Sequence, residues 1–318
     1  MKKDLYYIGM DGGGTKTAAV ITNAEANIIA EHVSGPSNFQ IIGVEKAAKI
    51  ILELVRECCS SAQCTTTAVA GVTVGLTGAG RPVDQERMAK GVLAAARAAG
   101  MKLRGLAVES DARIALEGAF KGGAGIILIA GTGSIAFGKD AKGRVHRVGG
   151  WGRILGDEGS GYFIGRSGLT AITRHLDGRS TSTLLTKMVV REFGLKTQAD
   201  VIAAVYRNNF DVAAVAPLVL KAAGKSDEVC MAIVAQAVWE LGEHIRAMSV
   251  LLQPSVLTSI KRKIPIAFIG GLIANPTLLS DLLGRHTREE IRGVQRIEPM
   301  APPMYGAALM ALSVHHKH

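Results

Sequence analysis

The stretch Ile8-Gly9-Met10-Asp11-Gly12-Gly13-Gly14-Thr15-Lys16-Thr17 places a glycine-rich turn directly after an apolar strand. Residues 18–21 are again apolar, so the glycines join two strands of a hairpin and do not open a helix. Neither the Walker spacing nor G-x-G-x-x-G is present. Because glycine has no Cβ, its backbone N–H groups can surround phosphate oxygens. The stretch therefore predicts a phosphate-binding hairpin, with an ordinary tight hairpin as the alternative.

A second turn of the same kind occurs further along the chain. An apolar run at 125–130 leads into Gly131-Thr132-Gly133-Ser134 and then into another apolar run at 135–138. Two such hairpins indicate two halves of related design, each presenting a phosphate-binding turn to a shared cleft. In the first turn, Thr15 adds a hydroxyl donor, and Asp11 can hold a Mg²⁺ ion through water.

Composition limits the classes of protein to consider. The 318 residues are enough for two domains, and 48% hydrophobic with 20% charged residues is typical of a globular chain. No apolar run reaches the roughly 18–20 residues of a membrane span, and Asp4 and Asp11 interrupt any signal peptide. We therefore expect a soluble cytoplasmic protein that does not bind membranes.

The net charge of +10 raises the question of a polyanionic partner. Lysine and arginine are spread along the chain, aromatic residues make up only 4%, and no nucleic-acid-binding signature is present. An anionic nucleotide is the simpler ligand. The four cysteines have neither C-x-x-C spacing nor a disulfide framework, so we expect reduced thiols.

Strands and helices alternate through the first part of the chain, which predicts an α/β sheet with its ligand edge at the carboxyl ends of the strands. The predicted strands there are 5–10, 17–22, 28–33, 69–76 and 103–108, and the predicted helices are 43–62, 84–99 and 111–120. For helix 84–99 we expect Asp84 as N-cap and Gly100 just past the end. Gly122–Gly125 is the candidate domain boundary, and residues 160–253 read mostly as helix.

Four further segments contain candidate catalytic or ligand-binding residues. Asp111, after a predicted strand, is either a helix cap or a general base for a hydroxyl. Asn38 can cap a turn or bind a polar ligand. The glycine-dense segment 149–161 can approach a ligand closely, with Asp157 as an acceptor for sugar hydroxyls, or can be a loop leading into a helix. Gly270-Gly271 follows an apolar strand, where it can let an adenine ring lie against the backbone or can form a plain strand-to-helix turn.

Taken together, these motifs resemble those of the N-acetylglucosamine kinases, in the BadF/BadG-type branch of the actin/hexokinase/Hsp70-like ATPases. The resemblance is carried by Asp11-Gly12-Gly13-Gly14-Thr15, Ser110-Asp111-Ala112, Gly131-Thr132-Gly133-Ser134, Gly150-Trp151-Gly152 and Gly156-Asp157-Glu158-Gly159-Ser160. It implies an α/β, two-domain actin-like ATPase (ribonuclease H-like) fold with a central cleft. It also implies a homodimer and ATP-dependent, Mg²⁺-dependent phosphorylation of the 6-hydroxyl of N-acetylglucosamine.

The same resemblance implies lobes and roles for individual residues. Residues 1–118 would form a sugar- and phosphate-binding lobe completed by a C-terminal helix over 301–318, and 119–300 a nucleotide-binding lobe. Asp111 would be the general base. The sugar would be held by Asn38, Asp111, Gly150, Trp151, Gly152 and Asp157. The nucleotide would be held by Gly12, Gly13, Gly14, Thr15, Lys16, Gly131, Thr132, Gly133, Ser134, Gly270 and Gly271, with Asp11 at Mg²⁺.

Several alternatives stay open within and beyond this resemblance. Glucosamine kinases lack the Gly-Trp-Gly segment. Residues 35–38 and 111–116 resemble N-acetylmuramic acid kinases as well as bacterial N-acetylglucosamine kinases. The lactyl carboxylate of N-acetylmuramic acid calls for a cation, such as Arg153 or Arg81. An ATPase that activates an iron–sulfur dehydratase needs cysteines that bridge a cluster, and none lies near the second turn. A sugar-sensing repressor needs a DNA-binding segment before Met10. Cell-wall recycling and use of external amino sugar are both compatible roles.

Overall fold

The computed structural model describes residues 4–252 and 263–315, and the chain divides into two compact units. The first unit is Met1–Gly123 with Glu298–His318, and the second is Ala124–Ile297. These bounds fall within a few residues of the expected divisions at 118 and 300. The last helix is observed over Pro303–His315, and the remainder of the expected 301–318 helix lies partly outside the described residues.

The sheet of the first unit has five strands in the order β3-β2-β1-β4-β5. The strands are β1 (Tyr6–Gly12), β2 (Thr17–Thr22), β3 (Ile28–Ser34), β4 (Val69–Leu76) and β5 (Leu106–Ser110). Strand β2 runs antiparallel to both of its neighbours, β1 and β3. Strand β4 runs parallel to β1, and β5 runs parallel to β4. The carboxyl ends of β1, β4 and β5 therefore share one edge of the sheet.

The sheet of the second unit repeats this topology in the order β10-β9-β6-β7-β8. Its strands are β6 (Gly125–Ala130), β7 (Ser134–Lys139), β8 (Val145–Gly149), β9 (Ile264–Ile269) and β10 (Val294–Arg296). Again one strand, β6, pairs antiparallel with the hairpin strand that follows it and parallel with a later strand. The prediction of two related halves, each opening on a glycine-turn hairpin, is confirmed.

Helices pack on both sheets. They are α1 (Phe39–Ile42), α2 (Val44–Ser61), α3 (Pro82–Ala98), α4 (Asp111–Ala119), α5 (Gly161–Leu176), α6 (Leu184–Phe193), α7 (Gln198–Arg207), α8 (Ala216–Ala223), α9 (Glu228–Leu252), α10 (Leu278–Glu290) and α11 (Pro303–His315). The predicted helical region between 160 and 253 is confirmed as α5 to α9. None of the helices within 4–252 and 263–315 is long and apolar enough to cross a membrane.

Helix α11 packs against β1, β4 and α4 of the first unit through very small residues. A Cβ on Gly9 of β1 would overlap the backbone of Met304 and Ala308, and one on Gly306 would overlap α4. Alanines 307, 308 and 311 of α11 are buried. The alanine-rich composition of this helix thus has a packing cause, since larger side chains would hold its backbone away from the sheet.

Two local predictions were wrong. Asp84 is not an N-cap, because α3 begins two residues earlier at Pro82, whose fixed φ suits the first helical position; Asp84 instead lies in the first turn. Strand β5 begins at Leu106 and not at 103, because Gly105 adopts a φ of 55° beside the backbone of Ala70. Gly100, with a φ of 67°, does follow the end of α3 as predicted.

Candidate active site

Asp111 lies at the carboxyl edge of the first sheet, as the first residue of α4. The capping role belongs to its neighbour, because Ser110 Oγ accepts a hydrogen bond from the Arg113 N–H at 3.1 Å. Asp111 Oδ1 accepts from the Ala112 N–H at 2.8 Å, and Oδ2 accepts from Thr77 Oγ1 at 2.9 Å. The carboxylate is half-buried and held in one orientation from both sides.

Thr77 was not among the predicted site residues. It directly follows β4, whose carboxyl end lies between those of β1 and β5, and its N–H donates to the Gly12 carbonyl at 2.9 Å. A polar residue immediately after a buried strand is a recognisable signal in the sequence. Its partner, however, is set by which strands are neighbours, and that is visible only in the fold.

Asp11 is the second carboxylate at this edge. It is the last but one residue of β1 and is half-buried. Burial raises the pKa of Asp11, the nearby Asp111 carboxylate raises it further, and the Lys16 ammonium opposes them. The two carboxylates are hard oxygen donors of the kind that a divalent ion takes, whereas the Lys16 ammonium has no lone pair to donate and is not a ligand. These residues therefore fit the Mg²⁺ that the sequence predicts.

The glycine turn after β1 is closed by a hydrogen bond from the Gly13 N–H to the Lys16 carbonyl at 3.0 Å. Gly12 is required for packing, since a Cβ there would overlap Ser37 Oγ. Gly14 has open space around it, and Gly14, Thr15 and Lys16 are exposed. The tip of the turn is thus accessible to an anion, while its base is fixed in the sheet.

Asn38 performs the local capping role that the sequence left as one option. Its Oδ1 accepts from the Gln40 N–H at 3.1 Å at the start of α1, and its own N–H donates to the Gly13 carbonyl. Within the part of the chain that the structure describes, its amide nitrogen has no hydrogen-bond partner. That group stays available to a polar ligand.

The second glycine turn, 131–134, follows β6 and is tied to the start of α5. The Gly161 and Tyr162 N–H groups donate to the carbonyls of Gly131 and Thr132 at 2.8 and 3.1 Å. Gly131 has open space at its Cβ position, and Thr132 is exposed. Ser134 differs from them, because its buried hydroxyl donates to the Glu158 carbonyl at 2.7 Å and holds the following loop.

Asp157 is placed beside this second turn. Its Oδ1 accepts from the Ser134 N–H at 3.3 Å, and its carboxylate packs 3.0 Å from the Cβ position of Gly133. Its φ of 58° lies in the left-handed region, which non-glycine residues seldom occupy and which is enriched at functional sites. Asp157 thus lies against the predicted phosphate turn of the second unit.

A cavity of about 440 Å³ opens next to Thr132 and Asp157. Its other lining includes Arg153, Tyr162 and residues 209–212, and the Arg153 guanidinium lies 5.9 Å from the Tyr162 ring centre. Sequence reasoning did not assign Tyr162 or residues 209–212 to the site. The turn signal Asn208-Asn209, with Asn209 at a φ of 48°, could have marked this segment as a binding loop.

The Gly150-Trp151-Gly152 segment has a conformational reason for its glycines. Gly150 and Gly152 have φ values of 69° and 82°, and a Cβ on Gly150 would also overlap Ile135. Trp151 between them is 68% exposed, with the Arg147 guanidinium 5.1 Å from its ring centre. The glycines present an exposed indole, which is a flat surface able to stack on a sugar ring.

Gly270 and Gly271 follow β9, next to the second turn. A Cβ on Gly270 would overlap the Ala130 carbonyl, whereas Gly271 is exposed with open space around it. Because β6 and β9 are parallel neighbours, the turns at 131–134 and 270–271 meet at one edge of this sheet. The first unit therefore gathers Asp11, Asn38 and Asp111, and the second gathers Thr132, Asp157 and Gly271.

The sequence of this chain is similar to that of a family of ATPases and to those of two sugar kinases. Residues 8–311 match the profile of the BadF/BadG/BcrA/BcrD ATPase family. The chain is 31% identical to an N-acetylmuramic acid/N-acetylglucosamine kinase of Clostridium acetobutylicum, over 97% of this chain and 98% of that one. It is 29% identical to an N-acetyl-D-glucosamine kinase of Dictyostelium discoideum, over 98% and 99%.

Solved structures confirm the actin-like α/β fold. A protein of Chromobacterium violaceum, provisionally named an N-acetylglucosamine kinase, superimposes with a TM-score of 0.66 at 26% identity, covering 97% of this chain and 99% of that one. A Streptomyces griseus ROK-family glucokinase has the same fold, with a TM-score of 0.55 at 16% identity over 97% and 99%.

Proposed function

The chain belongs to the BadF/BadG/BcrA/BcrD ATPase family, and from this premise we propose that it is a kinase of N-acetylated amino sugars. The reaction is transfer of the γ-phosphoryl group of ATP to the 6-hydroxyl of N-acetylglucosamine. One observation carries the proposal: the Asp111 carboxylate stands at the carboxyl edge of the first sheet, oriented by Thr77 and Ala112 and adjacent to Asp11. The names of the full-length relatives support the substrate class.

Asp111 acts as the general base in this mechanism. A carboxylate oxygen has two lone pairs, so Oδ2 can accept from Thr77 and still accept from the sugar 6-hydroxyl. The position at the N-terminus of α4 favours the negative charge through the helix dipole. Removal of the hydroxyl proton by Asp111 leaves an alkoxide-like oxygen as the nucleophile, and the bonds from Thr77 and Ala112 keep the base from rotating away.

Other residues bind and orient the two substrates. Gly14, Thr15, Lys16 and Thr132 are exposed, and their N–H groups are the donors for phosphate oxygens. The N–H groups of Gly13 and Gly131 instead close the two turns by donating to the carbonyls of Lys16 and Gly133. Gly270 and Gly271 adjoin the adenosine. Asn38, Gly150, Trp151, Gly152 and Asp157 hold the sugar, and the Asn38 amide nitrogen is the donor that capping leaves unused.

Asp11 is the residue that would hold Mg²⁺ through water. When bound, the ion neutralises negative charge on the phosphate oxygens. Asp11 itself contributes a negative charge that burial and Asp111 make unfavourable without a cation. The chain's own part is to keep this carboxylate at the end of β1 beside the glycine turn.

N-acetylmuramic acid is the alternative substrate, because one full-length relative is named a kinase of both sugars. Its lactyl carboxylate requires a cation. Arg153 and Arg81 are exposed, and within residues 4–252 and 263–315 neither forms an ion pair. Arg153 lines the cavity beside Asp157 and is the stronger candidate. Glucosamine is the third candidate substrate, after the two N-acetylated sugars.

Activation of an iron–sulfur dehydratase is disfavoured by the thiols. Cys58, Cys59 and Cys230 are buried, and burial raises the pKa of each to about 12. Thiolates are the ligands of iron–sulfur clusters. Thiols that are buried and hard to ionise are poor candidates for that role.

The test is ADP release from Mg·ATP with N-acetylglucosamine, N-acetylmuramic acid, glucosamine, N-acetylmannosamine and glucose. We expect turnover confined to N-acetylated sugars, with Asp111→Asn folded and at least about 100-fold slower, the usual contribution of a positioned base. Arg153→Gln should lower kcat/KM selectively for N-acetylmuramic acid if that sugar is used. Turnover with no sugar in the panel, or near-normal turnover of Asp111→Asn, would overturn the proposal.

A further inference from the structure

A second cavity, of about 500 Å³, lies in the second unit at the other end of β9 from Gly270 and Gly271. Lys263 precedes β9 and the two glycines follow it, so the six residues of the strand separate the two places by roughly 20 Å. The cavity is lined by residues of α10 between Asp281 and Arg288 and by β10. It is therefore distinct from the candidate active site.

The cavity is strongly cationic. Its charged lining consists of Lys263, Arg285, Arg288 and Arg296, with Asp281 as the sole carboxylate among the lining residues that the structure describes. Lys263 and Arg285 are exposed, and neither has an ion-pair partner in the described part of the chain. Arg288 has only its neighbour Glu289, at 3.8 Å with both side chains largely exposed. Such a surface pair contributes little, so these cations are not neutralised internally.

One of these cations is held in place by the fold. The Arg296 guanidinium lies 4.5 Å from the ring centre of Phe268 on β9. It also lies over Gly284, where a Cβ would come within 3.1 Å of its Nη1 atom. Gly284 is in the interior of α10, where glycine is less favourable than alanine. The absence of a side chain there leaves the space that Arg296 occupies.

We propose that this cavity binds a phosphate dianion, either free or as the phosphate group of a phosphomonoester. Four cations and one carboxylate line the cavity, so its net positive charge complements a dianionic phosphate. Arginine also offers paired N–H donors that match phosphate oxygens. A concave site of this volume encloses a small molecule, whereas a nucleic acid would need an extended basic surface. Free phosphate and a sugar phosphate share this chemistry. The proposal does not depend on the kinase reaction, since it concerns binding alone.

The test is isothermal titration calorimetry on the full chain, saturated beforehand with Mg²⁺ and the ATP analogue AMPPNP. Inorganic phosphate and N-acetylglucosamine 6-phosphate are titrated into it in separate experiments. We expect one site per chain whose affinity falls as salt is raised. The double variant Lys263→Gln/Arg285→Gln should weaken it at least about tenfold, since it removes two charge-assisted contacts. Both residues are exposed and unpaired, so folding should be unaffected.

The matched control is Lys142→Gln/Arg191→Gln, which removes the same two residue types from exposed positions outside the cavity. It should bind as the wild type does. If the sugar phosphate binds with a lower Kd than inorganic phosphate, the ligand is a sugar phosphate. If the two Kd values are equal, the cavity recognises the phosphate group alone. Equal loss in the two double variants, or no binding by either anion, would overturn the proposal.

Discussion

Replacing Thr77 by valine tests whether the orientation of Asp111 limits catalysis. Valine keeps the shape of the side chain but removes the hydroxyl that donates to Asp111 Oδ2 at 2.9 Å. The Ala112 N–H, at 2.8 Å from Oδ1, still holds the other oxygen. Thr77→Val therefore removes one of two restraints on the base and leaves its charge in place.

The size of the effect follows from the bond that is lost. A hydrogen bond to a charged acceptor is worth about 1.5–3 kcal/mol. If that orientation is used fully in the transition state, kcat falls by about 10- to 150-fold, at 1.36 kcal/mol for each factor of ten. KM for the sugar should change little, because Thr77 acts on the base. Thr77→Ser retains the hydroxyl and should stay within about threefold of the wild type.

The assay is steady-state ADP release with N-acetylglucosamine, and Thr73→Val is the control. Thr73 lies in β4, the strand that Thr77 follows, and its buried Oγ1 has no hydrogen-bond partner in the described chain, so its loss should leave kcat unchanged. The double variant Thr77→Val/Asp111→Asn should be no slower than Asp111→Asn, since Thr77 acts through that carboxylate. Unchanged kcat in Thr77→Val, or a full additional loss in the double variant, would show that Thr77 does not act by orienting Asp111.

Two further predictions concern stability. Thr73→Val should raise the free energy of unfolding by roughly 1 kcal/mol, because it removes a buried hydroxyl that has no hydrogen-bond partner in the described chain. The midpoint of urea unfolding should rise with it, and an unchanged or lower midpoint would contradict this prediction. The raised pKa of Asp11 means that the folded chain binds a proton more readily than the unfolded chain, so wild-type stability falls as pH rises through that raised value. Without metal, Asp11→Asn should therefore melt higher than the wild type at pH 7, with the difference shrinking as pH falls towards 4.

Several features of this protein could be read from residue order alone. The two glycine turns each follow an apolar strand and precede another, and hairpin geometry depends on neighbouring residues only. The same holds for the end of α3 at Gly100 and for the long helix α9. Periodicity of apolar residues sufficed for these elements because helix and strand periods are local properties.

Only the tertiary structure decided which polar groups meet. The order β1-β4-β5 brings Thr77 to Asp111, residues 34 positions apart. The order β10-β9-β6 brings Arg296 over Phe268 and sets Gly270 against Ala130. Strand order, register and the side of a helix that faces a sheet are set by long-range packing, which no local pattern encodes. Residue order was therefore enough to locate the two glycine turns, whereas the polar partners of the residues beside them depend on the packing of strands that are distant in the chain.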